Sequence, residues 1–76
     1  MKNLDRITID PTRMNGQPSV RDLRITVRRV LDALASYPSR EAMRVDYPEL
    51  DDEDVRQSLA YAAANLEDRI IDFHAA

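Results

Sequence analysis

Thr26-Val27-Arg28-Arg29-Val30-Leu31-Asp32-Ala33-Leu34-Ala35-Ser36-Tyr37-Pro38-Ser39 decides the architecture. Val27, Val30, Leu31 and Leu34 fall at i, i+3, i+4 and i+7, one apolar stripe of a helix. Thr26 precedes the stripe as an N-cap, and Arg28, Arg29 and Asp32 take the other faces. Tyr37-Pro38 closes the helix, because a residue before proline disfavours the helical region. Ser39 then caps a second, short helix with Glu41 in its first turn, Ala42, Met43 and Tyr47 inside, and Pro48 as its stop.

Downstream, Asp51 caps a third helix whose positive end is crowded by Asp52, Glu53 and Asp54. Its apolar row, Val55, Leu59, Ala62, Leu66, Ile70 and Phe73, predicts a long helix over 51–74. Two short helices cannot cover so long a stripe. Leu66, Ile70, Ile71 and Phe73 are therefore a candidate protein interface, for a homodimer or a partner groove. Docking onto the domain's own ribbon is the bland alternative.

Upstream, Ile7 and Ile9 alternate with polar neighbours as in a half-buried strand that Pro11 ends. Asn15-Gly16-Gln17-Pro18 holds the one glycine and predicts a tight turn with positive φ. Val20 to Ile25 is read as a returning strand. The expectation is a mostly α, three-helix, helix-turn-helix-like (winged-helix-like) domain with a short N-terminal two-stranded β-ribbon. It forms a single domain over 1–76: ribbon and turn at 6–25, two helices at 26–50, the third at 51–74.

Seventy-six residues support only a marginal core, and there is no cysteine for a staple. One histidine, His74, leaves too few soft ligands for a structural zinc. No apolar run approaches a membrane span, and the N-terminus lacks the pattern of a signal peptide, so a cytoplasmic module is expected. No cofactor is implied. The acidic run at 51–54 lacks the glycine and alternating ligands of an EF-hand and is read as capping. No nucleophile, base and orienting group can be assembled, so the chain is expected not to be an enzyme.

Net charge is −3, but residues 1–45 carry nine Lys/Arg against five Asp/Glu, whereas residues 46–76 carry two against nine. Only the basic half suits a polyanion. Arg21, Arg24, Arg28 and Arg29 lie within nine residues, with Arg40 and Arg44 flanking. Arginine forks fit phosphate and carboxylate, so these six form the candidate surface for nucleic acid or an acidic partner. A solvated face paired with Asp22 and Asp32 is the alternative. In a helix-turn-helix the third helix would send its N-terminus into the major groove, yet Asp51–Asp54 would be repelled there. Only Arg56 and Gln57 remain to read bases, so conventional docking is disfavoured.

The stretches Ile7-Thr8-Ile9-Asp10-Pro11, Gly16-Gln17-Pro18-Ser19-Val20-Arg21, Arg24-Ile25-Thr26-Val27, Tyr47-Pro48-Glu49-Leu50-Asp51-Asp52-Glu53-Asp54-Val55 and Leu59-Ala60-Tyr61-Ala62 together resemble the domain of unknown function 433 family. The resemblance spans residues 6–64. Family members usually read Arg-Gly-Thr-Arg where this chain has Arg21-Asp22-Leu23-Arg24, so the bend there is made without glycine. A glycine usual after the first helix is also replaced, around Ser36-Tyr37-Pro38. The resemblance implies a bacterial VapB-like antitoxin of a toxin–antitoxin system. Its implied partner is a cognate PIN-like ribonuclease toxin, whose acidic metal site the antitoxin occludes or fills with an arginine. Operator DNA, bound for autoregulation, would be a further partner. A dimeric interaction module and a stand-alone helix-turn-helix transcriptional regulator are the alternative readings.

Overall fold

The structure, a computed structural model, describes residues 4–66. Strand β1 (Ile7–Thr8) pairs antiparallel with β2 (Ser19–Val20), in the register Ile7↔Val20 and Thr8↔Ser19. The ribbon is shorter than the alternation suggests, and Ile9 is 58 % exposed rather than half-buried. Beyond Thr8 the chain leaves the ladder at once. Asp10 accepts from the backbone N–H and the hydroxyl of Thr12 at 2.9 and 2.7 Å, an Asx turn. A single 3-10 turn at Met14–Gly16 follows, with φ of 51°, 56° and 75° at its three residues. The predicted Asn15-Gly16 turn is thus in place.

The returning strand predicted over Val20–Ile25 is instead a knot of tight turns. Val20 N–H donates to the Ile25 carbonyl (2.9 Å), Leu23 N–H to that of Val20 (3.1 Å) and Val27 N–H to that of Pro18 (2.9 Å). Arg21 and Arg24 adopt the left-handed region, φ 50° and 61°. The bend is thus made without glycine, by left-handed residues on either side of Asp22 and Leu23. Such conformations cost a non-glycine residue about 1 kcal/mol each, a strain held here by the surrounding hydrogen bonds.

Three helices complete the fold: α1 (Val27–Ser36), α2 (Arg40–Asp46) and α3 (Asp52–Ala64). Each begins where the sequence placed a cap. Thr26 accepts from Arg29 N–H, Ser39 from Ala42 N–H and Asp51 from Asp54 N–H, at 3.0, 3.1 and 2.8 Å. Asp54 answers by accepting from Asp51 N–H (3.1 Å), which closes a capping box. Val20, Val30, Ala33, Met43, Leu50 and Val55 form the core, flanked by Leu23, Ile25, Leu34, Tyr37 and Tyr47. Tyr37 and Tyr47 meet edge to face, 6.3 Å between centroids. The architecture is the expected one: mostly α, three helices behind a two-stranded antiparallel ribbon.

Helix α3 departs from expectation twice. It stops at Ala64, because the Asn65 side-chain amide donates to the Tyr61 carbonyl (2.8 Å) and competes with the helical ladder. The remainder of the stretch predicted to reach residue 74 lies outside the described residues. Its inner face is also polar. Asp54, Gln57 and Ser58 are buried beside Val55, while Leu59 and Leu66 of the predicted stripe are 49 % and 74 % exposed. Of the described stripe, Val55 is in the core and Ala62 is half-buried. Leu59 is the member that turns outward against expectation, and Leu66 is exposed as a candidate interface residue should be.

Candidate functional site

At the junction of ribbon and α3, the Asp54 carboxylate is fully buried and holds two arginines. Arg21 donates to it from Nε (3.0 Å) and from a terminal nitrogen (2.6 Å), and Arg6 donates at 3.0 Å. Arg6 also grips both oxygens of Asp51, at 2.6 and 2.7 Å. Gln57 ties the same region together, accepting from Arg6 N–H at 2.8 Å and donating to Asp5 at 2.9 Å. Arg21, expected on the anion-facing patch, is thereby committed to the fold; a further bond to the Glu49 carbonyl (3.0 Å) fixes its far end. Arg6 plays the same structural part and was not among the predicted arginines.

Burial pushes the Asp54 carboxyl up, but hydrogen bonds from Arg21, the Asp51 backbone and Arg6 outweigh it and hold the group at about 2. Glu53 is likewise held at about 2, by Arg56 and then Gln57, and Asp51 is lowered chiefly by Arg6. In each case the folded chain resists protonation more than the unfolded chain, so the stabilisation is complete above the unfolded pKa near 4 and drains away as pH falls toward 2. For Asp54 alone the loss is on the order of 2 kcal/mol. Urea midpoints should be level from pH 7 to about 5 and fall steadily below about 4. An unchanged midpoint at pH 3 would show that the carboxylates contribute nothing.

The acidic start of α3 is neutralised in pieces. Arg40 and Arg44, predicted as flanking cations, both donate to the same Asp52 oxygen at 2.9 Å. Arg56 forks onto Glu53. Gln57, one of the two α3 residues left to read bases, is 3 % exposed and so buried in the fold. The four carboxylates are therefore all paired, with Asp51 and Asp54 sharing Arg6 and the other two held by separate arginines. Among the described residues no group of three or more His, Cys, Asp or Glu is placed to hold a metal ion. Nor, among them, is any helix long and apolar enough to cross a membrane.

The remaining arginines separate onto two sides of α1. Arg24 and Arg29 face one hollow of about 270 Å³, with Tyr47, Thr26, Gln17 and Ile25 in its wall. Neither has a carboxylate within salt-bridge distance among the described residues. Arg28 lies on another side, loosely tied to Asp32 at 3.9 Å with both side chains well exposed. It rims a shallow apolar groove of about 290 Å³ between α1 and α3, lined by Pro18, Val27, Leu31, Tyr61, Ala62 and Leu66. Leu66 is the one member of the predicted interface within the described residues; Ile70, Ile71 and Phe73 lie outside them. Of the groove only Leu66 was singled out as an interface residue. The sequence places Leu31 on the inner stripe of α1 and does not mark Tyr61 as an interface residue, because their convergence depends on how α1 packs against α3.

Comparison with known families adds one finding. The family described as protein of unknown function (DUF433) matches residues 7–62. No curated protein and no solved structure matches the chain.

Proposed function

We propose that this chain, which belongs to the DUF433 family, acts by binding, as an antitoxin-like module that seats a cognate PIN-like ribonuclease toxin. The observation that carries the reading is the open groove between α1 and α3, where Pro18, Leu31, Tyr61 and Leu66 present apolar surface that a small monomer gains by covering. Its cationic rim, Arg28, suits a partner with an acidic site. Ile70, Ile71 and Phe73 follow Leu66 in sequence and extend the supply of apolar side chains. Operator DNA, in this reading, meets the α1 edge that carries Arg24 and Arg29. It does not meet the N-terminus of α3, where Asp51–Asp54 oppose phosphate.

Co-expression with the product of the neighbouring gene, followed by mass-resolved size exclusion and a nuclease assay, tests the reading. The expected result is a stable complex in which the partner's nuclease activity is suppressed. A chain that elutes without its partner and leaves the nuclease active refutes it. A homodimer closed through the same groove is the second reading, favoured by the same apolar lining. It predicts concentration-dependent self-association in the absence of any partner.

A further inference from the structure

We propose that the hollow framed by Arg24, Arg29 and Tyr47 is a phosphate-binding site. Two guanidinium groups face one concavity, and no described carboxylate lies within salt-bridge distance of either. Arg6, Arg21, Arg40, Arg44 and Arg56, by contrast, are each drawn to an acid of α3 or its cap. Two cations lining one concavity, with no described carboxylate in contact, favour an anion there.

The backbone also commits Arg24 to this side. It sits at φ 61°, within the turn that Val20 N–H and the Ile25 carbonyl close. A left-handed arginine is an unfavourable way to build a surface loop, and strain of this kind gathers at binding sites.

The remaining wall selects the class of anion. Tyr47 has its hydroxyl beside Arg29, and Thr26 accepts from Arg29 N–H, which leaves the threonine proton free to donate. Gln17 offers an amide. Donors on several sides match the tetrahedral spread of phosphate oxygens better than the two coplanar oxygens of a carboxylate. Thr26 caps α1, so the positive end of that helix adds to the field. The volume exceeds that of a bare phosphate, and Ile25 offers an apolar contact for whatever the phosphate esterifies. The ligand is therefore a phosphate ester, whether a nucleic-acid backbone group or a phosphorylated small molecule. The inference rests on the anion-facing reading of the basic half and is independent of the toxin.

Amide and arginine Nε resonances of the full chain would be followed during titration with inorganic phosphate, a short DNA duplex and, for comparison, acetate at matched ionic strength. The expected result is saturable shifts clustered at residues 24–29 and 47 with phosphate and not with acetate. Arg24→Gln and Arg29→Gln should each weaken binding at least about tenfold, because each removes a charge-assisted hydrogen-bond donor. Arg56→Gln, with the same change in net charge on α3, should bind as the parent does. Saturation by both phosphate and duplex identifies nucleic acid as the source of the phosphate. Saturation by phosphate with no effect of duplex on the same resonances identifies a small phosphorylated molecule. The proposal is overturned if neither probe gives saturable shifts, if acetate matches phosphate, or if the Arg24 and Arg29 variants bind as the parent. Co-elution with a toxin, or its failure, leaves these outcomes untouched.

Discussion

Asp54→Ala should lower the melting temperature of this domain by about 12–24 °C, the shift expected for a loss near 3 kcal/mol in a chain of this size. The carboxylate has no exposed surface, receives three hydrogen bonds from Arg21 and Arg6, and supplies one half of the α3 capping box. Its removal leaves Arg21 with only the Glu49 carbonyl and leaves the start of α3 with one cap instead of two. Breaking a buried ion pair from one side costs about 3–5 kcal/mol. Arg6 and Arg21 keep roughly a third of their side chains in solvent, which places this site near the lower end of that range. A chain of 76 residues has on the order of 4–11 kcal/mol to lose. Asp52→Ala is the control: its carboxylate is 78 % exposed although it also binds two arginines, and exposed pairs contribute about 0–1 kcal/mol. Circular-dichroism melts of the two variants separate the cases. A melting temperature for Asp54→Ala within a few degrees of that for Asp52→Ala would dismiss the buried knot as a stabilising feature. Arg21→Met paired with Asp54→Leu should recover part of the loss, since apolar replacement of both partners removes the stranded charge.

The same cluster marks where the sequence stops being readable. Thr26, Ser39 and Asp51 were legible as caps because a cap acts on a backbone N–H only three residues away. Proline-terminated helices and the Asn15-Gly16 turn were legible for the same local reason. Asp54 looked like one more first-turn acid; its arginines arrive from 33 and 48 residues away, a distance at which spacing rules are silent. The arginine patch failed differently. Residues 21–29 pass from a left-handed turn into a helix, so neighbours in sequence face an ion-pair knot, a polar hollow and an apolar groove in turn. On α3 the stripe arithmetic holds at Val55, which is in the core, and fails at Leu59, which is exposed. Gln57 and Ser58 are buried because their hydrogen bonds are met inside, by Arg6, Asp5 and the Asp54 carbonyl, which lets polar residues occupy the inner face.

The exposure of Leu66 just past the end of α3 leaves the groove open, and it leads to the second large effect. Leu31→Glu and Leu66→Glu should leave the fold intact and remove partner binding. Leu66 is 74 % exposed and Leu31 is half-buried outside the core, so neither substitution strands a charge inside the domain. In a complex the position reverses. A carboxylate introduced among Pro18, Tyr61 and Ala62 would be desolvated against apolar surface with no donor beyond Arg28 at the rim. Truncating a well-packed anchor costs an interface about 2 kcal/mol or more, so loss of the leucine together with a buried charge should weaken association by at least about a hundredfold. Tyr61→Ala tests the anchor alone, without adding charge, and should fall between the parent and the glutamate variants. Co-elution with the product of the neighbouring gene and that product's nuclease activity are the measurements, with far-UV circular dichroism as the check on folding. If Leu31→Glu and Leu66→Glu are folded and still hold the partner at parental strength, the groove is not the binding face. If instead they abolish only self-association, the groove is the seam between two copies.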